Sequence, residues 1–445
     1  MDTGLGDILE VAIPAILIAF SVVVLMVHKE LGPFSGISTG GKWMLTLAFS
    51  MGVIAFAFKI TVALSVAKAP ERVVAPVIAA YRQSPVTPLP EWGTGIYDAP
   101  PLPANYIWEP LPDKAPAPAD NPTTPEKVAL GKRLYYDVRL SGDGTLSCAS
   151  CHDLYRKAGG DARRTATGIR GQIGGRNVPT VWNAAFQSVL FWDGRAASLE
   201  DQAKGPIMNP IEMGMPTQAE VEKRIAADPS YRDEFAHAFG ADQPITLDLI
   251  AKAIAAFERT LITPDAPYDR FVRGDATALT PAQIRGMALF EATGCVTCHR
   301  GPAFSDASLL GGQMALRIFP TNPTPYETRY DLMADGGAVG HAGRGAWRIA
   351  SLRNVALTGP WLHNGSVDKL SEVVRIMASA QLGATVGSTA PTRIAVWSPS
   401  ERVFKRVERR ALSDQDVDDI VAFLDALSSD TLRVQGKENI PVARR

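Results

Sequence analysis

All four cysteines of the chain fall into two copies of one pattern, Cys148-Ala149-Ser150-Cys151-His152 and Cys295-Val296-Thr297-Cys298-His299. Two thiols one helical turn apart can form thioethers with the two vinyl groups of a haem. The adjacent histidine then comes up beneath the iron as its proximal ligand. Zinc would want four Cys or His ligands at separate offsets, and no further cysteine exists. A redox dithiol needs no histidine directly after it. The chain has only six histidines, so two in that place are no accident of composition. The pattern calls for two covalently attached haems of the c type, one on Cys148, Cys151 and His152, the other on Cys295, Cys298 and His299.

Helices must present these motifs, and the chain around each motif repeats itself. Gly131-x-x-Leu134-Tyr135 precedes the first and Gly286-x-x-Leu289-Phe290 the second. The second of these helices opens with Thr280 as cap, Pro281 at its first position and Gln283 completing a capping box. Each half also closes on Ile-x-Ala-Phe, at Ile254 to Phe257 and at Ile420 to Phe423. The first copy lies in an apolar stripe of Leu247, Ile250, Ile254, Phe257 and Leu261, spaced as one buried helix face. The second follows the cap pattern Ser413-x-x-Asp416. These elements predict an all-α fold of two cytochrome c-like domains, residues 121–275 and 276–445.

The remainder of the 445 residues reads differently. Ile8 to Val27 is a run of 20 residues interrupted only by Glu10, Pro14 and Ser21; Trp43 to Ala67 is a second, with Lys59 its only charge. About 20 apolar residues span a bilayer as a helix, and neither run shows a polar stripe. Residues 1–69 are therefore expected to form a transmembrane helical hairpin. A cleaved signal peptide fits less well, because no Lys or Arg precedes the first run and Pro70 follows the Ala67-Lys68-Ala69 pattern. Lys29 and Lys42 put the connecting loop in the cytoplasm. The expected location is the bacterial inner membrane, with the haem domains in the periplasm and the lipid bilayer, or a larger membrane complex, as a partner. From Pro70 to Pro125 the chain holds fourteen prolines. Residues 70–120 read as a semi-rigid periplasmic spacer or as an arm wrapped over the globular surface, the latter drawing weight from Trp92, Tyr97, Tyr106 and Trp108. A net charge of −1 gives no reason to expect nucleic acid as a partner.

From Asn121 to Leu427 the sequence resembles the bacterial di-haem cytochrome c peroxidase family, which also contains the MauG-type enzymes. The stretches that carry the resemblance are Gly175-Arg176-Asn177-Val178-Pro179-Thr180, Phe191-Trp192-Asp193-Gly194-Arg195, Ile262-Thr263-Pro264-Asp265-Ala266-Pro267, the run from Ser351 to Thr358, and Met377-x-Ser379-Ala380-Gln381-Leu382-Gly383. The resemblance implies a peroxidatic first haem and an electron-transfer second haem. It makes Met377 the distal ligand of the second iron, with Met314 and Met333 as competitors. It makes Glu212 the catalytic carboxylate, Gln202 its neighbour in the pocket and Trp192 the relay between haems. It also implies a calcium ion held by Asn177, Thr358 and Pro360.

The activity implied is reduction of hydrogen peroxide to water, with electrons from a small cytochrome c or cupredoxin. Two alternatives stay open. One is MauG-like oxidation of residues in a partner protein, although MauG has tyrosine where Met377 stands. The other is a plain membrane-anchored electron carrier, with Met213 closing the first iron. One departure from the family pattern stands out. Many members carry a histidine, which caps the oxidised first haem, in the loop before the Arg-Asn-x-Pro-Thr stretch. Here that loop, Thr167 to Gly175, has Arg170 near the missing histidine.

Overall fold

The computed structural model describes residues 23–29, 38–47, 50, 106, 108–312, 315–338, 345–387, 392–398, 403–409 and 412–437. Met1–Val86 and Thr87–Arg445 form two compact units.

In the larger unit, two helical cores are built around the same joint. Helix Pro125–Tyr135 starts where Thr124 accepts a hydrogen bond from Lys127 N and proline takes the first position. It crosses helix Leu247–Glu258, whose stripe of Leu247, Ile250, Ile254 and Phe257 is buried as its spacing requires. The crossing leaves no room for a side chain. A Cβ on Gly131 would stand 1.9 Å from the Ala253 carbonyl oxygen and 3.0 Å from Phe257 Cβ. Helix Pro281–Thr293, capped by the Thr280/Gln283 box, meets helix Asp414–Ala426, capped by the Ser413/Asp416 box. There a Cβ on Gly286 would stand 1.8 Å from the Asp419 carbonyl oxygen and 2.8 Å from Phe423 Cβ. The repeat seen in the sequence is thus one backbone-to-backbone helix crossing made twice. Each fully buried Leu or Phe at these crossings contributes about 1.5–3 kcal/mol.

The segments that face the clefts repeat as well. Asn183 and Asn354 both take the left-handed conformation, at φ 62° and 61°, and each opens a 3-10 turn. Both donate from their amide nitrogens to Thr263 Oγ1, at 2.7 and 3.1 Å. Eleven residues on, Gly194 and Gly365 sit at φ 69° and 58° in loops closed by the bridges Leu190–Ala196 and Trp361–Val367. Helices Leu199–Met208 and Leu370–Ile376 follow at the same offset.

Trp108 is buried in the second core, in edge or tilted contact with Tyr268, Phe304 and Phe423. Its Nε1 donates to Glu291 Oε2 at 3.1 Å. Leu111 N donates to Asp269 Oδ1 at 2.8 Å. Helix Pro267–Val272, inside the range expected for the first domain, gives Tyr268 and Phe271 to this second core. Of the residues expected to form a spacer, Trp92 and Tyr97 lie outside the described residues.

Two expectations are corrected. The fold is not all-α. Leu316–Phe319 pairs antiparallel with Gly345–Arg348, and Thr392–Ser398 with Val403–Arg409. The second hairpin was legible: both strands mix β-branched and aromatic residues with polar ones and flank the turn-forming Ser398-Pro399-Ser400. The transmembrane hairpin also does not stand. No helix among the described residues is long and apolar enough to cross a membrane. Residues 23–29 and 39–47 are helical, rising about 10 and 14 Å against a hydrocarbon core of about 30 Å. They meet at His28, whose ring packs edge-on to Trp43 at 5.5 Å and whose Nε2 lies 3.4 Å from Thr46 Oγ1. The rest of both apolar runs lies outside the described residues. An apolar run gives the composition of a span but not an unbroken helix through it. The inner-membrane location falls with the hairpin.

Candidate functional site

Helix Cys148–Cys151 is one turn long, so both thiols leave the same side. Ser147 N donates to Ser150 Oγ at 3.0 Å, which fixes the start of that turn. His152 follows directly, and its Nδ1 lies 3.0 Å from the Gly159 carbonyl. A carbonyl only accepts, so Nδ1 carries the hydrogen and Nε2 keeps the lone pair needed by a metal. The second motif repeats the device. Cys295–Thr297 forms a 3-10 turn, and His299 Nδ1 lies 3.1 Å from the Phe304 carbonyl. Desolvation pushes both imidazoles below their ordinary value and keeps them neutral.

The thiols of Cys148, Cys151 and Cys298 are free. Burial pushes Cys148 up to about 12 and Cys151 up to about 11. A reactive dithiol needs its thiolate stabilised, so the redox-motif reading fails here. No cluster of three or more His, Cys, Asp or Glu that could hold a metal ion occurs among the described residues. The zinc reading fails with it.

Two clefts receive these motifs. The first is bordered by Cys148, Cys151 and His152, with Gln202 and Glu212 also on its walls. The second is bordered by Cys298, His299 and Met377, and reaches His152 at its other end. Two clefts, each with a paired-thiol motif and a tautomer-fixed imidazole, present the same donors twice, and a c-type haem is the group these donors suit.

The elements that end in each cleft differ. Helix Leu199–Met208 carries Gln202 and runs into a tight loop that holds Glu212. Asn209 Nδ2 donates to Glu212 Oε1 at 2.8 Å. Burial raises the affinity of the Glu212 carboxyl for its proton, while Arg195 and Asn209 oppose that shift. Met213 also borders this cleft, but its side chain is buried in the first core. Helix Leu370–Ile376 instead passes into a π-turn, Met377–Gln381, which turns Met377 onto the second cleft. Single π-turns of this kind are frequent at functional sites. Met333 borders neither cleft, and Met314 lies outside the described residues.

Trp192 borders both clefts, and its Nε1 donates to the Asn177 carbonyl at 2.9 Å. Asn177, Thr358 and Pro360 all border the second cleft. Asn177 Nδ2 donates to the Arg163 carbonyl at 2.9 Å, which turns its carboxamide oxygen the other way.

The loop without a histidine is pinned beside Glu212. Ile169 N donates to the Glu212 carbonyl at 2.7 Å, and Gln172 Nε2 to the Pro210 carbonyl at 3.0 Å. A Cβ on Gly168 would stand 1.9 Å from the Ile211 carbonyl oxygen. Ile169 is buried and Arg170, at φ 56°, is exposed.

Glu258 escaped the sequence reading. It is 5 % exposed, borders both clefts, and its Oε2 has no partner. Burial pushes its carboxyl up to about 8. The signal was available, because the residue after the repeated Phe is Glu258 in one half and Leu424 in the other.

The family described as "Di-haem cytochrome c peroxidase" matches residues 125–277. Cytochrome c peroxidase Ccp of Escherichia coli K12 is 39% identical over 320 residues, which is 70% of this chain and 60% of that protein's length. Cytochrome c551 peroxidase of Pseudomonas aeruginosa is 37% identical over 343 residues, 75% of this chain and 87% of that protein. Among solved structures, a MauG-like protein associated with microbial copper homeostasis matches with TM-score 0.57 at 32% identity, covering 77% of this chain and 97% of that one. With two haem-attachment motifs, each on a cleft of its own, the chain belongs to the di-haem cytochrome c peroxidase family, a family of oxidoreductases acting on peroxide.

Proposed function

We propose that the chain reduces hydrogen peroxide to water at the first cleft, drawing electrons from a small cytochrome c or a cupredoxin. The observation that carries this reading is Glu212, held by Asn209 on the wall of the cleft that His152 borders. Cys148, Cys151 and His152 would hold one haem, and Cys295, Cys298, His299 and Met377 the other, in domains spanning residues 121–275 and 276–445. When bound, the haems would supply the two electrons, so that one peroxide, two electrons and two protons give two waters.

The protein's part is to manage the protons. Splitting the O–O bond needs a proton moved from the near oxygen to the leaving one. Glu212 accepts it as a base and returns it as an acid, a role its raised proton affinity suits. Asn209 keeps the carboxylate aimed, and Gln202 stands on the same wall to orient the substrate. Trp192, bordering both clefts, is the relay between them. A calcium ion would be held by the Asn177 carboxamide oxygen and by the Thr358 and Pro360 carbonyls, the hard oxygen donors such a cation prefers.

MauG-like oxidation of a partner protein is the second reading, supported by the similarity to a MauG-like structure. Met377, in the place of MauG's tyrosine, favours the peroxidase. A steady-state assay with peroxide and reduced cytochrome c separates the two. Donor-dependent peroxide consumption supports the peroxidase reading. Consumption that occurs only when a partner protein is oxidised would overturn it.

A further inference from the structure

The two halves differ at one place that the peroxidase reading does not use. Six residues before each left-handed asparagine stand Asn177 and Arg348, and nine residues after it stand Trp192 and His363. The backbones of these four are cross-linked. Asn177 N donates to the His363 carbonyl at 2.8 Å, and Arg348 N to the Trp192 carbonyl at 2.7 Å.

The side chains are not matched in the same way. In the first half, Trp192 Nε1 has its carbonyl partner, and Arg176 is paired with both Asp193 and Asp335. In the second half, Trp347 takes the place of Arg176 and stacks on His363, with ring centroids 3.9 Å apart and planes 16° from parallel. Trp347 and His363 are 5 % and 3 % exposed, and neither Trp347 Nε1 nor His363 Nε2 has a hydrogen-bond partner among the described residues. Arg348, 9 % exposed, donates to the Phe191 carbonyl at 2.9 Å and to Gln187 Oε1 at 2.8 Å. No carboxylate pairs with it among the described residues, and burial pushes its guanidinium down to about 10. All three residues border the cleft of His299 and Met377.

A buried cation without a counter-charge and two buried ring nitrogens without acceptors are costly. A carboxylate in this part of the cleft would supply the missing counter-charge, with the guanidinium as the charge-assisted donor. We propose that Arg348, Trp347 and His363 form a socket for a propionate carboxylate of the haem on His299, and that Arg348 raises that haem's reduction potential. The proposal rests on the two-haem reading given above. A fixed positive charge beside a haem favours the ferrous state, and hydrogen bonds and local charge are levers by which a protein sets such potentials.

Spectroelectrochemical titration of the holoprotein, without peroxide, reads the two haems separately. Because no turnover is involved, failure of the peroxidase reading would leave this test intact. Arg348→Gln should shift the second haem's reduction equilibrium about tenfold toward ferric, which is about 59 mV for one electron. The first haem should move by less than a third of that. Arg348→Lys keeps the charge and should restore most of the shift. If Arg348→Gln fails to load haem, Trp347→Phe decides, with a smaller shift expected in the same direction. Adding acetate to the wild-type protein should leave the midpoint unchanged. An unmoved second haem, a shift confined to the first, or a loss in Arg348→Lys as large as in Arg348→Gln would overturn the proposal. So would an acetate-dependent midpoint, which would mean that the socket binds a free anion.

Discussion

The two haem-binding halves share a helix crossing, an asparagine turn and a histidine tautomer lock, and diverge at the end of one helix. In the first half, helix Leu199–Met208 continues into the loop that carries Glu212; in the second, helix Leu370–Ile376 winds into the π-turn that carries Met377. A carboxylate leaves the metal's outer face free for a substrate and its protons. A thioether would fill that face and favour reduced iron. On the proposed reading attachment is duplicated while function is divided, and the division rests on the few residues at the C-terminal end of one short helix.

Changing the carboxylate should have the largest effect. Glu212→Gln keeps the shape and loses the proton acceptor, so turnover should fall by about two orders of magnitude or more. Haem staining should show both haems still loaded. Near-normal peroxidase activity would remove Glu212 from the mechanism and erase the difference between the clefts.

The counterpart in the second half is Met377→His. The haem should stay low-spin while its midpoint falls, because imidazole favours ferric iron more than a thioether does. An unchanged midpoint would point to Met314 or Met333 as the ligand.

The shared joint gives a symmetric expectation. Gly131→Ala and Gly286→Ala each force a Cβ to within 2 Å of a carbonyl oxygen of the crossing helix. Overpacking of this kind costs about 1–3 kcal/mol and sometimes more. Thermal unfolding should show comparable losses from both, and a loss at one site alone would break the equivalence of the two halves.

The smallest expected effect concerns Glu258, which the second half replaces with Leu424. Its carboxyl titrates near 8 in the folded chain against 4.5 ordinarily, so folding is favoured while the group is protonated. That contribution is complete below about 4.5 and is lost as pH rises to about 8. Glu258→Gln should flatten stability over this window in denaturant titrations. An unchanged slope would mean that the carboxylate gains a partner in the holoprotein.

Much of this comparison was legible in the sequence. The paired thiols with histidine, the two glycine-led helices and their caps are local patterns, and local chemistry decides them. The membrane hairpin misled because apolar length does not specify a continuous helix. The strands at Thr392–Ser398 and Val403–Arg409 had their β-branched and aromatic residues in plain view, and the helical signals on either side drew the reading past them. Arg348, Trp347 and His363 carry no local signature at all. They become visible only when the halves are superimposed and a buried group in one lacks its counterpart in the other.

The central claim is that the first cleft is open and the second closed, and the loop from Thr167 to Gly175 sharpens it. That loop holds no histidine. It is tied to Glu212 by Ile169 N, and its arginine faces outward. His237 lies on helix Pro229–Phe239, His363 is buried against Trp347, and His341 falls outside the described residues. The direct measurement is electron paramagnetic resonance of the protein as isolated, with both irons ferric, before and after addition of peroxide. The account predicts one high-spin and one low-spin ferric signal, with the high-spin species reacting at once. Two low-spin signals, or no reaction until one electron has been added, would contradict it and return Met213 or a remote histidine as the cap.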